Sequence, residues 1–144
     1  MNIYLKTCFL SLLLFLVACI DNNKDINKIE DPELVTVAFF NAIYNERDIK
    51  KAASVCNPKL ARILMHYKSP SAVGRHLFNM SFDKVVVSPD DSGVKIREQF
   101  KDKAVITVYF EGTYQENIVK DVKRLSLVQS GDRWVINKIL KDPF

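Results

Sequence analysis

Cysteine, glycine and histidine are scarce in this 144-residue chain, with three, four and two copies respectively, and there is one tryptophan. So few glycines exclude a collagen, and three cysteines are too few for a disulfide scaffold. The two histidines, His66 and His76, stand ten residues apart with no Cys or carboxylate pattern that matches a metal site. Solvated or edge-packed rings are the expected reading, and no metal or other cofactor is expected. Gly74, Gly93, Gly112 and Gly131 are isolated, so no P-loop, G-x-G-x-x-G or G-x-S-x-G motif is present. No sustained heptads indicate a coiled coil, and no apolar run is long enough for a multi-span membrane protein. What remains is 48% hydrophobic, 26% charged and +4 overall, a globular balance.

The hydrophobic residues are unevenly spread. Residues 1–18 hold 14 of them, with Lys6 the only charged side chain. Residues 7–17 form an apolar run broken by one Ser. At about 1.5 Å per residue it covers roughly half of a ~30 Å hydrocarbon core, so it reads as a signal-peptide core rather than a span. Leu16, Val17, Ala18 and Cys19 then resemble a bacterial lipobox. That resemblance implies diacylglycerol transfer to the Cys19 thiol, cleavage before Cys19 and acylation, such as by palmitate, of the new amine. Cys8 does not serve, because Lys6 lies two residues before it. Two or three acyl chains, at about 0.8 kcal/mol per buried CH₂, anchor a small protein stably. The expected location is the cell membrane or outer membrane, with the folded part outside the cytoplasm, on the periplasmic side. Nucleic acid is therefore not an expected partner. Cys56 is left as the one free thiol, with apolar neighbours that suit a buried structural role.

Three segments follow: a signal peptide at 1–18, a lipid-anchored tether at 19–31 and a folded domain at 32–144. Residues 20–31 carry four acidic and two basic side chains, three Asn and three isolated Ile, which suits a solvated tether. The domain opens on Asp31-Pro32-Glu33, with Asp as helix cap and Pro in the first turn. Val35, Ala38, Phe39, Ala42 and Ile43 share one face, widened by Leu34, Phe40 and Tyr44. Asp48, Asn57-Pro58 and Ser69-Pro70 repeat the cap device for three shorter helices. At Ser81 the period changes. Strands are expected at residues 84–88, 94–100, 104–110, 118–128 and 134–140, with turns at residues 89–93, 101–103, 111–116 and 130–132. Such strands in succession form an antiparallel meander. The fold class is α+β, with a long N-terminal helix and short helices packed on a curved antiparallel sheet.

That order resembles the nuclear-transport-factor-like (cystatin-like) superfamily, and bacterial lipoproteins of unknown function that bear such a domain. The residues carrying the resemblance are Asp31, Pro32, Glu33, Phe39, Phe40, Ala42, Tyr44 and Asn45, with Asp48 and Ala52 after them and Gly131-Asp132-Arg133-Trp134-Val135-Ile136 at the end. It implies a cone of sheet wrapped over a long helix. The superfamily includes enzymes, ligand binders and scaffolds, so the fold alone does not choose a function.

No catalytic set is found, and no catalytic residue is assigned. Asp48 reads first as a cap, and as a general base only if it meets a Tyr or His in a pocket. Asp83, Asp90 and Asp91 fit no cation-loop spacing. Lys95, Arg97, Lys101 and Lys103 border one turn, while Lys120, Lys123, Arg124 and Arg133 lie on later strands and would form a basic patch on an outer sheet face if those strands pair. Phe39, Tyr109, Phe110, Tyr114 and Trp134 either line a concave pocket or simply make the core. The expected activity is a non-enzymatic interaction or binding module at the envelope, with the membrane as one partner and an envelope protein or apolar small ligand as another. The alternatives are an immunity-type lipoprotein against an envelope toxin and a small hydrolase or isomerase using the cone.

Overall fold

Four helices begin on side-chain caps, and each cap occupies a backbone N–H that the helix itself leaves unpaired. The computed structural model describes residues 26–28, 31–90, 98–100 and 102–142. In α1 (Pro32–Tyr44), Glu33 N–H donates to Asp31 Oδ1 at 2.8 Å. In α2 (Ile49–Ser54), Lys51 N–H donates to Asp48 Oδ1 at 2.9 Å. In α3 (Pro58–His66), Leu60 N–H donates to Asn57 Oδ1 at 2.7 Å. In α4 (Pro70–Val73), Ala72 N–H donates to Ser69 Oγ at 3.2 Å. The last helix does not simply continue. It widens into a π-helical turn, Gly74–Phe78, which Asn79 ends in the left-handed region at φ 54°. Phe78 thereby reaches Phe40, ring centroids 5.1 Å apart.

Five strands follow: β1 (Lys84–Pro89), β2 (Glu98–Phe100), β3 (Lys103–Tyr114), β4 (Asn117–Ser130) and β5 (Arg133–Ile139). Every strand pairing is antiparallel, in the order β1-β3-β4-β5. The expected meander holds from β3 to β5 but not before it. β1 lies along Val108–Thr113 of β3, and β2 lies along Lys103–Val105 of the same strand. At 12 residues β3 is long enough to take both. Residues 94–97, expected as the start of the second strand, lie outside the described residues.

The helices cover one face of this sheet, an α+β arrangement. Alternation in β3 sends Ala104, Ile106, Val108 and Phe110 inward, each 2% exposed or less. Val35, Phe39, Phe40, Ala42 and Ile43 of α1 meet them, and Leu125, Leu127, Trp134 and Ile136 extend the layer. Each buried Val, Leu, Ile or Phe side chain here contributes about 1.5–3 kcal/mol. Thr36, fully buried, returns its hydroxyl hydrogen bond to Pro32 O at 2.8 Å. Ile26, within the expected tether, is 3% exposed. Its 3₁₀ turn, Ile26–Lys28, touches α1, α2 and β5. A single apolar anchor in a polar stretch is invisible to composition.

The outer edge of β5 is partly covered by the α2–α3 link. Ile136 N–H donates to Val55 O at 2.8 Å, and Asn57 N–H donates to Ile136 O at 2.9 Å. Such cover blunts an edge that would otherwise pair with another chain.

The β3–β4 hairpin departs from the expected turn at residues 111–116. β3 runs on to Tyr114, and Gln115 and Glu116 alone make the turn, at φ 49° and 65°. Gly112 sits inside the strand opposite Val85, where a side chain would collide with the Lys84 carbonyl and lie 2.9 Å from Phe82 Cδ1. The glycine is needed for that close approach, not for a turn. A two-residue turn with both φ positive favours Asn-Gly. Replacing Gln115 by Asn together with Glu116 by Gly is expected to stabilise the protein by about 1 kcal/mol, read as a higher midpoint in thermal denaturation.

Candidate functional site

Tyr44 is the last residue of α1, and its ring is fixed on three sides. Phe82 meets it edge-on at 5.4 Å, Phe110 meets it edge-on at 6.1 Å, and Phe40 stacks beside it at 6.5 Å. The residue is 3% exposed, and among the described residues its hydroxyl has no hydrogen-bond partner. A buried polar group left in that state costs about 1–3 kcal/mol. Burial pushes the phenol far above its ordinary value of 10.0; the Asp121 carboxylate adds to the rise, and Arg47 opposes it. The group is therefore a neutral donor at physiological pH.

Beside this ring lies a cleft of about 380 Å³, within the range of small-molecule sites. Three segments build it. The chain leaving α1 puts Arg47 in the left-handed region at φ 59°, and its Nη2 donates to Phe82 O at 3.0 Å. The α4 end supplies Ser71, Gly74 and Arg75. The link into β1 supplies Met80, Ser81, Phe82 and Asp83, and Tyr114 closes the far side. A methyl on Gly74 would stand 2.9 Å from Met80 O, 3.1 Å from Tyr44 Cε1 and 3.4 Å from the hydroxyl oxygen, so the glycine lets the chain pack close against the phenol, whose oxygen is itself buried. Asp83 is already engaged: Gln115 N–H donates to its Oδ2 at 2.8 Å. A non-glycine residue in the left-handed region costs about 1–2 kcal/mol, and such residues concentrate at functional sites. Arg47 is one, and the Gln115-Glu116 turn beside Tyr114 holds two more.

The five aromatics read as either pocket lining or core are spread between the core, the outer face and the cleft. Phe39 and Phe110 are core residues at 0% and 1% exposure, and Trp134 is buried under the β4–β5 end of the sheet. Tyr109 lies on the outer face, as the neighbour of inward Phe110 must. Tyr114 is the one that lines the cleft. The lipobox residues Leu16, Val17, Ala18 and Cys19 lie outside the described residues.

The expected basic patch on an outer face is also divided. Lys123 points inward, 6% exposed, and its Nζ donates to Asp142 at 2.7 Å and Asp121 at 3.1 Å. Burial acts to lower its pKa, but the hydrogen bonds to Asp142 and then Asp121 outweigh that and raise it above 10.5. Lys120 is on the opposite face, paired with Glu111 across the strands at 3.2 Å. Arg133 reaches Asn27, while Lys95, Arg97 and Lys101 lie outside the described residues. Odd and even positions of one strand face opposite ways, so Lys123 and Arg124 never shared a face.

His66 and His76 flank Tyr67, each ring 6.0 Å from it. Asp48 is spent on its helix cap. Among the described residues no group of three His, Cys, Asp or Glu side chains is placed to hold a metal ion. Cys56 Sγ donates to Ala52 O at 3.4 Å, and burial pushes the thiol up to about 12, far from the thiolate that a nucleophile needs.

Sequence reasoning passed over Tyr44 as part of an apolar stripe and did not single out Arg47. A polar-tipped aromatic followed three residues later by Arg at a helix end was the available signal. Comparison with protein-family models, with characterised proteins and with solved structures returns no match.

Proposed function

We propose that this chain is a lipid-anchored envelope protein that works by binding a small molecule in the Tyr44 cleft. The observation that carries the binding reading is a cleft of about 380 Å³ that brings two guanidinium groups, of Arg47 and Arg75, together with the aromatic rings of Phe82 and Tyr114. The helix-then-strand order and the α+β arrangement support placing the domain in the nuclear-transport-factor-like superfamily. The anchor rests on the lipobox at residues 16–19. Among the described residues no helix is long and apolar enough to cross a membrane; in this reading, attachment comes from acyl chains on Cys19.

Two experiments test the parts separately. In cells fed labelled palmitate, wild type incorporates label, and Cys19→Ser loses it and accumulates precursor; labelling that survives the substitution overturns the anchor. For the cleft, the full chain in non-ionic detergent is titrated with mixtures of small organic compounds while backbone amide resonances are followed. Shifts centred on Gly74, Phe82 and Tyr114 support the site. Shifts confined to the outer sheet face around Tyr109 overturn it.

A further inference from the structure

We infer that the cleft takes a small organic anion, its acidic head held by Arg47 and Arg75 and its apolar part against Phe82 and Tyr114. The inference rests on the cleft being a ligand site and adds the ligand's chemical class.

Charge decides the head. The cleft lining carries two guanidinium groups against the one carboxylate of Asp83, which already accepts from Gln115 N–H; Asp121, whose charge also reaches Tyr44, is paired with Lys123. Arg47 spends one donor on Phe82 O at 3.0 Å, which pins the guanidinium and leaves its remaining N–H groups free of that bond. A guanidinium fixed in this way loses less freedom on meeting a planar oxyanion. A cationic ligand meets two like charges, and a neutral one gains no charge-assisted hydrogen bond from either guanidinium.

Volume decides the body. About 380 Å³ is room for roughly a dozen water volumes, far more than an inorganic oxyanion fills. Phe82 is 4% exposed and Tyr114 is 38% exposed, so one gives a fixed apolar wall and the other an accessible one. An aromatic or aliphatic acid uses both features; inorganic phosphate uses only the first.

The test titrates the full chain in non-ionic detergent with benzoate, phenyl phosphate, inorganic phosphate, benzyl alcohol and benzamidine, following the Gly74, Phe82 and Tyr114 amides. Benzoate or phenyl phosphate is expected to bind at millimolar concentration, at least about tenfold more tightly than benzyl alcohol or benzamidine. Arg75→Gln is expected to weaken that binding about tenfold, Arg47→Gln several-fold, and added salt to weaken it further. Both variants keep the apolar contacts of the fold, and unchanged amide spectra away from the cleft confirm this. Benzyl alcohol binding as well as benzoate overturns the anionic class and leaves the cleft as a ligand site. Inorganic phosphate matching phenyl phosphate overturns the organic body. Benzoate binding unmoved by Arg75→Gln overturns the assigned head contact, and no response to any probe overturns both readings together.

Discussion

Phe40→Ala is expected to destabilise the protein by about 3–5 kcal/mol, a large share of the 5–15 kcal/mol typical of a domain. The ring is fully buried and sits at the centre of an aromatic cluster. Phe110 meets it edge-on at 4.8 Å, Phe39 at 5.0 Å and Phe78 at 5.1 Å, with Tyr44 stacked beyond. These partners come from β3, α1 and the π-helical turn, so truncation leaves a cavity that no single element can close by a small shift. The midpoint of thermal unfolding is expected to fall on the order of 10–20 °C, measured by circular dichroism. Leu34→Ala, on the same helix but 56% exposed, is the control and is expected within about 0.5 kcal/mol of wild type. A loss below about 1 kcal/mol for Phe40→Ala would place the core elsewhere.

Local chemistry was legible and long-range contact was not. The four helix starts at Asp31, Asp48, Asn57 and Ser69 follow from a cap and the residues beside it, an interaction spanning two or three positions. The inward set of β3 follows from a period of two. By contrast, Gly112 looked like a turn because the contact that demands it comes from Phe82 and Lys84, on the far side of the β1 connection. Lys123 obeys the same alternation as Leu125 and Leu127, yet its charge argued for the surface. Its inward place depends on Asp142, 19 positions away beyond β5. The pairing of both β1 and β2 with β3 is likewise a choice among edges that no local pattern records. Tyr44 is the sharpest case. A tyrosine on an apolar helix face reads as core, and it is core; that its hydroxyl lacks a partner depends on what Gly74 and Arg47 bring near it.

Among the described residues three groups hold their protons more tightly when folded, which sets the direction of their alkaline response. Cys56 rises from 9.0 to about 12, Tyr44 rises above 10.0, and Lys123 rises above 10.5. Above each ordinary value the unfolded chain has released a proton that the folded chain still carries. Stability therefore falls as pH rises, by up to about 1.4 kcal/mol per pH unit for each group. For Lys123 the contribution is fully present below 10.5 and is lost as pH rises through its folded value. Cys56 alone is expected to remove on the order of 4 kcal/mol across its interval, so the protein is expected to unfold cooperatively in alkali. Urea midpoints measured against pH test this. Cys56→Ala is expected to flatten the fall that starts near pH 9.0, and Tyr44→Phe the part that starts near 10.0. At neutral pH, Tyr44→Phe should cost nothing or stabilise slightly, because it removes a buried hydroxyl that has no partner among the described residues. A midpoint that stays level from neutral pH to 10.5 would contradict the burial of Cys56. A neutral-pH loss above about 1 kcal/mol for Tyr44→Phe would mean that the hydroxyl is already satisfied.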